Sequence, residues 1–95
     1  MVTEVAFMSV HAGQEDAFLN ALEAAKSVVG QAKGFVSISV HRGIERPSTF
    51  MLVLTWETLE DHTEGFRGGP LFVQWRGHIG PFFAAAPEVE HWIAS

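Results

Sequence analysis

His62 stands three residues after Leu59 and four before Phe66, and Thr63 four after Leu59 and three before Phe66, a spacing that would put an imidazole and a phenyl ring on one inward stripe of a helix. With an ordinary pKa of about 6.5, an imidazole can accept a proton near neutrality, so His62 is a candidate catalytic base. Trp56, Phe66, Phe72 and Trp75 are suited to wall a cavity for a flat substrate, and Arg76 is a permanent cation able to hold a developing oxyanion. A base, an aromatic shelter and a fixed positive charge could together deprotonate a flat substrate and hold the resulting anion away from water. Each residue also has a plainer reading: a core histidine with satisfied nitrogens, packed aromatics, and a surface or rim arginine.

Other chemistries find less support. The chain has no cysteine, which removes thiolate nucleophiles, disulfides and Cys-based metal centres. Its five histidines include no i,i+4 pair and no HExxH spacing, so no metal site is expected. His11, His41 and His91 read as strand-end or interface residues. Ser9, Ser37 and Ser39 fall inside strand patterns rather than on sharp turns, and no strand precedes Gly68-Gly69-Pro70 as a phosphate loop would need. Six Lys and Arg against eleven Asp and Glu give a net charge of −5, and the basic residues are scattered, so nucleic acid is not an expected partner.

The elements that must position these residues are legible from periodicity. Val5, Phe7 and Ser9 alternate with Ala6, Met8 and Val10, a strand ending at Ala12-Gly13. From Gln14, the apolar residues Ala17, Phe18, Ala21, Leu22, Ala25 and Val28 or Val29 mark an amphipathic helix closed by the Gly30–Gly34 region. Phe35 to Gly43 predicts a second strand with Val36, Ile38 and Val40 on one face and Ser37, Ser39 and His41 on the other. Glu45-Arg46-Pro47-Ser48 supplies a hairpin loop, and Thr49 to Trp56 predicts a third strand, apolar on both faces. A second helical segment begins after Trp56 with Thr58 as N-cap and Asp61 in a capping box. It breaks at Gly68-Gly69-Pro70 and resumes from Leu71 to Ile79. A proline-bounded loop leads to a last strand, Val89 to Ile93.

This order, β-α-β-β-α-β, predicts one α+β domain over residues 1–95, a ferredoxin-like protomer with an antiparallel four-stranded sheet, central first and third strands, and both helices on one face. The other face carries large apolar side chains, and a homodimer through it is the simplest cover. No apolar run approaches the ~20 residues of a membrane span, and the N-terminus lacks a basic leader, so a cytoplasmic protein with no membrane partner is the expectation.

With that order in place, KGFVSISVHRG, STFMLVLTWE with its strand-end Trp, EDH six residues beyond it, GPLFVQW and VEHW resemble the antibiotic biosynthesis monooxygenase family of dimeric α/β-barrel proteins. The resemblance covers nearly the whole chain. It implies a pocket between sheet and helices in each protomer, and for some members a monooxygenase acting on small aromatic or quinol-like substrates without metal or flavin, hence no cofactor. It sets Trp56 at the family's strand-end Trp, His62 at a helix-two polar position, Arg76 at an Arg, and His41 near a strand-two Tyr, hence on the substrate side. Leu52 replaces a polar residue, and the chain has no tyrosine. Haem-degrading members need an Asn, a Trp and a His where this chain has Ala6, Gly65 and Trp75. The alternatives to the monooxygenase are thus a non-catalytic dimeric barrel binding a small hydrophobic molecule, and a haem-binding or haem-degrading protein.

Overall fold

Along β1 (Val2–Ser9), Glu4, Ala6 and Met8 are buried, whereas Thr3, Val5, Phe7 and Ser9 are half-buried. The period-2 pattern therefore gives the strand one sealed face and one open face. β3 (Thr49–Trp56) repeats this, burying Phe50, Leu52, Leu54 and Trp56. In the computed structural model, which describes residues 1–95, the two strands pair antiparallel at the centre of a sheet ordered β2-β3-β1-β4, with β2 (Phe35–Arg42) and β4 (Glu88–Trp92) at its edges. The fold is ferredoxin-like, as the element order predicts.

α1 (Glu15–Val29) buries Phe18, Leu22, Ala25, Val28 and Val29 against the sealed face, with the Phe18 ring 4.9 Å from that of Phe50. Ser48 donates from the β2–β3 hairpin to Glu15 at 2.5 Å, tying the start of the helix to the sheet. α2 (Pro70–Ile79) begins with Gly69 in extended backbone and Pro70 at its first position, where a missing N–H costs nothing, and buries Trp75 and Ile79 in the same core. A 3₁₀ turn over Gly80–Phe82 leads toward β4.

Three details differ from the sequence expectation. A bulge between Phe35 and Ser37 shifts the β2 register, so Phe35, not Val36, joins the helix-facing side and meets Trp56 edge-on at 5.7 Å, leaving Val36 exposed. The last strand starts and ends one residue earlier, and Ile93 is solvent-exposed. The segment after Trp56 is not an α-helix: Thr58 does accept the Asp61 N–H at 3.1 Å, but Asp61–Phe66 then form a π turn, closed by Arg67 N–H donating to the His62 carbonyl. Such a turn closes i→i+5, so residues four apart face inward together; His62 and Phe66 are buried while Leu59 is 40% exposed.

Gly34 is required where it stands. Its φ of +80° is in the left-handed region, and a Cβ there would collide with the Asp61 carboxylate at the start of the π turn. The carbonyl of Gly34 also accepts the Glu57 N–H at 2.8 Å, so this turn fixes the approach of the His62 segment to the sheet.

Candidate functional site

A cavity of about 280 Å³ lies between the sealed sheet face, the π turn and α2. Its walls are mostly apolar: Ala6, Met8 and Leu54 from the sheet, Phe66, Phe72 and Trp75 from the helical side. The volume is at the small end of ligand sites, suited to a compact ring system. Phe66 meets Phe72 and Trp75 edge-on at 5.6 and 6.1 Å, so the aromatic wall is itself packed in place. Arg67 and Arg76 also line the cavity, the latter 6.0 Å from the Phe72 ring centre and 5.7 Å from that of Phe83.

The polar part of the cavity is a carboxylate and an imidazole. Glu4 occupies the sealed face of β1, and its Oε1 accepts a hydrogen bond from Trp56 Nε1 at 3.0 Å and approaches His62 Nε2 at 3.3 Å. The other His62 nitrogen, Nδ1, lies 2.8 Å from Nε2 of His91. His91 is the cross-strand partner of Glu4 in the β1–β4 register, so the sheet itself brings these two together while the π turn lowers His62 onto them. Burial, reinforced by the nearby Arg67 and His91, pushes the His62 pKa down to about 4, and burial with Arg67 lowers that of His91. The Glu4 carboxyl moves the opposite way: desolvation raises its pKa and outweighs the Trp56 hydrogen bond and the Arg67 charge. The contact between Glu4 and His62 is therefore a hydrogen bond to a neutral ring near pH 7, not an ion pair.

Of the residues singled out from sequence, His62, Phe66, Phe72, Trp75 and Arg76 meet at this cavity. Two do not. Trp56 is fully buried behind His62, with ring centres 5.2 Å apart, so it supports the site from beneath rather than walling it. His41 lies on the open sheet face, bonded to Ser39 at 3.1 Å and beside a separate hollow with Phe7, Arg42 and Met51. The odd-numbered register of β2 sends it there, away from the helices. Both nitrogens of His62 are engaged, which changes the base it could be from a free imidazole to the middle of a chain. Leu52 is core, Ala6 lines the cavity, and His78 is exposed and outside it.

Glu4 and Arg67 complete the polar part of the site and were absent from the sequence reading, and His91, read there as a strand-end or interface residue, joins them through His62. Glu4 had a signal: it shares the even-numbered face of β1 with Ala6 and Met8, and a charge on the apolar face of a central strand demands a partner.

The model of a family described as antibiotic biosynthesis monooxygenase matches residues 1–77. This chain belongs to the antibiotic biosynthesis monooxygenase family. Within reach of that family by sequence is YczJ of Bacillus subtilis (strain 168), an uncharacterized protein 36% identical over 91 residues, with 96% of each chain covered. A crystal structure of a Bordetella bronchiseptica protein bearing the same family name superposes with a TM-score of 0.96 at 33% identity, covering 99% of this chain and 96% of that one. SnoaB of Streptomyces nogalater, named as a cofactor-independent oxygenase, shares the fold with a TM-score of 0.83 at 17% identity, over 99% of this chain and 92% of its own. His91 lies beyond the stretch that the family model matches. No helix is long and apolar enough to cross a membrane.

Proposed function

We propose that this protein is a cofactor-independent monooxygenase acting on a small aromatic or quinol-like substrate in the cavity between sheet and helices. The observation that carries the reading is the juxtaposition of an aromatic cavity, a buried Glu4–His62 pair and two arginines. A pair that removes a proton makes the substrate an electron-rich carbanion or phenolate, able to pass an electron to dioxygen; radical recombination gives a peroxide. For an anthrone-like CH₂, loss of water from the hydroperoxide leaves C=O, so that CH₂ + O₂ becomes C=O + H₂O with atoms and electrons balanced. Arg67 and Arg76 supply fixed positive charge beside the anion, and the rings of Phe66, Phe72 and Trp75 exclude water. The family and the oxygenase named among the fold's neighbours support this reading.

Oxygen uptake with dithranol and a set of hydroquinones tests it. Uptake should exceed the buffer rate and fall by about 10²-fold in His62→Ala, the usual scale for losing acid–base assistance, with binding of an anthraquinone less affected. Uptake equal to buffer across the set would overturn the oxygenase and leave the second reading, a dimer that binds a small hydrophobic molecule. That reading is favoured by one observation, the engagement of both His62 nitrogens.

The open sheet face, with Val5, Phe7, Met51 and Val53 half-buried and adjacent in register, is the surface we assign to a homodimer. Val53→Arg should convert a dimer of twice 10.4 kDa into single chains in sedimentation at micromolar concentration. Single chains in the unsubstituted protein would refute the assignment.

A further inference from the structure

We propose that Glu4 is the group that takes the proton from the cavity's occupant, and that His62 and His91 form the path along which that proton exchanges with solvent. The inference rests on the reading of the cavity as a site of substrate deprotonation, and it moves the base from His62 to a strand residue.

The geometry distinguishes the two candidates. His62 is 3% exposed and has no nitrogen to spare, since Nε2 faces Glu4 and Nδ1 faces His91. Glu4 receives both of its contacts on Oε1, from Trp56 and His62; Oε2 has no protein partner and is not a sealed, unsatisfied atom. A carboxyl oxygen at a cavity wall with no partner is the atom a substrate O–H or C–H would meet. Burial already favours the protonated form of this carboxyl. The transfer moves one negative charge from Glu4 to the occupant, and both places lie within the same wall that carries Arg67 and Arg76.

The outer end of the chain is His91. Its ring centre lies 5.0 Å from that of His62, and the residue is half-exposed at the edge strand β4. The charged and titratable groups around the chain are Glu4 on β1, His62 on the π turn, Arg67 just after it, Arg76 on α2 and His91 on β4. Proton bookkeeping closes. The substrate bond to hydrogen breaks and its electron pair stays on the substrate; the proton joins Glu4. The proton arrives on Oε2, and a turn of the carboxyl about its Cγ–Cδ bond brings that O–H to His62 Nε2, which takes it; His62 Nδ1–H passes one to His91 Nε2, and His91 Nδ1–H releases one to water. Because the overall oxidation releases no proton, the same path run inward returns the proton needed to form the departing water.

The test needs no turnover. 4-Nitrophenol is an acidic aromatic whose phenolate absorbs at longer wavelength than the phenol, so absorbance reports directly whether the cavity deprotonates it. The wild-type protein should bind it as phenolate at pH 6. Glu4→Gln, which keeps the shape and the acceptor for Trp56, should bind it within a few-fold of wild-type affinity but as the phenol. His91→Phe should reach the same phenolate at equilibrium, but with 4-nitrophenol already bound, a stopped-flow pH jump from 5 to 7, which drives the proton out to solvent, should raise the phenolate absorbance about tenfold more slowly than in wild type, and added imidazole should restore the rate. Melting curves confirm that each variant is folded. Phenolate retained in Glu4→Gln, a wild-type rate in His91→Phe, or no ionised 4-nitrophenol in the wild type would each overturn the proposal. Phenolate formation without oxygen uptake on dithranol would instead sink the oxygenase and leave Glu4 as the proton acceptor of a binding site.

Discussion

Trp56→Ala should cost about 3–5 kcal/mol, a large share of the stability of a domain this size, and leave much of the chain unfolded at 37 °C. The indole is fully buried at the end of β3 and touches three rings: Phe35 edge-on, His62 stacked and Phe66 tilted at 5.5 Å. It also supplies the N–H that Glu4 accepts. Its removal therefore opens a cavity and strands a buried carboxyl, two penalties that add because neither neighbour can reach across the space. Trp56→Phe separates them. It keeps most of the packing and deletes only the donor, for which about 1–3 kcal/mol is expected, with a folded product. Urea unfolding of both variants checks this; a Trp56→Ala midpoint within about 1 kcal/mol of wild type would show that the ring is not the support the geometry describes.

The same residue shows what the sequence could and could not reveal. The alternation in β1 and β3, the helix from Phe18 to Val29 and the glycine-proline break before α2 are local patterns, each set by one period or one breaker, and the structure follows them. Which side of the ring system meets the cavity is not local. Trp56 is an aromatic at the end of a strand whichever side it serves, and only the π turn, which slides His62 over it, decides that the indole is a support and the imidazole stands between. The bulge at Phe35–Ser37 is equally silent in an alternating apolar run, because inserting one residue changes pairing without changing composition. The chain Glu4–His62–His91 joins residues 29 and more positions apart, so spacing alone cannot find it. Yet its strand members were readable in part: Glu4 shares a face with Ala6 and Met8, and the pairing of β1 with β4 places His91 opposite it. Periodicity indicates that a face is buried; a charged residue on that face then indicates that something must answer it.

That answering group makes stability depend on pH in a way whose sign is fixed. With its folded pKa held at about 4, His62 stays neutral while the unfolded chain takes up a proton below about 6.5, so the unfolded state binds more protons and stability falls as pH drops through that window. Integrated to pH 4, the loss through His62 is about 2–3 kcal/mol. His91, whose pKa is also lowered by burial, adds to it with the same sign. Glu4 opposes them. Its raised folded pKa means that the native state binds the extra proton above about 4.5, so its contribution becomes more favourable as pH falls through that range. Urea midpoints at pH 7 and pH 4 should show a smaller acid loss in His62→Gln than in wild type, by about 2–3 kcal/mol, and a larger one in Glu4→Gln, where the opposing group is gone. Equal acid losses in wild type and His62→Gln would mean that the imidazole is not held neutral in the folded protein. A group that resists protonation by solvent yet sits against a carboxyl that welcomes it is suited to pass a proton on rather than to keep it.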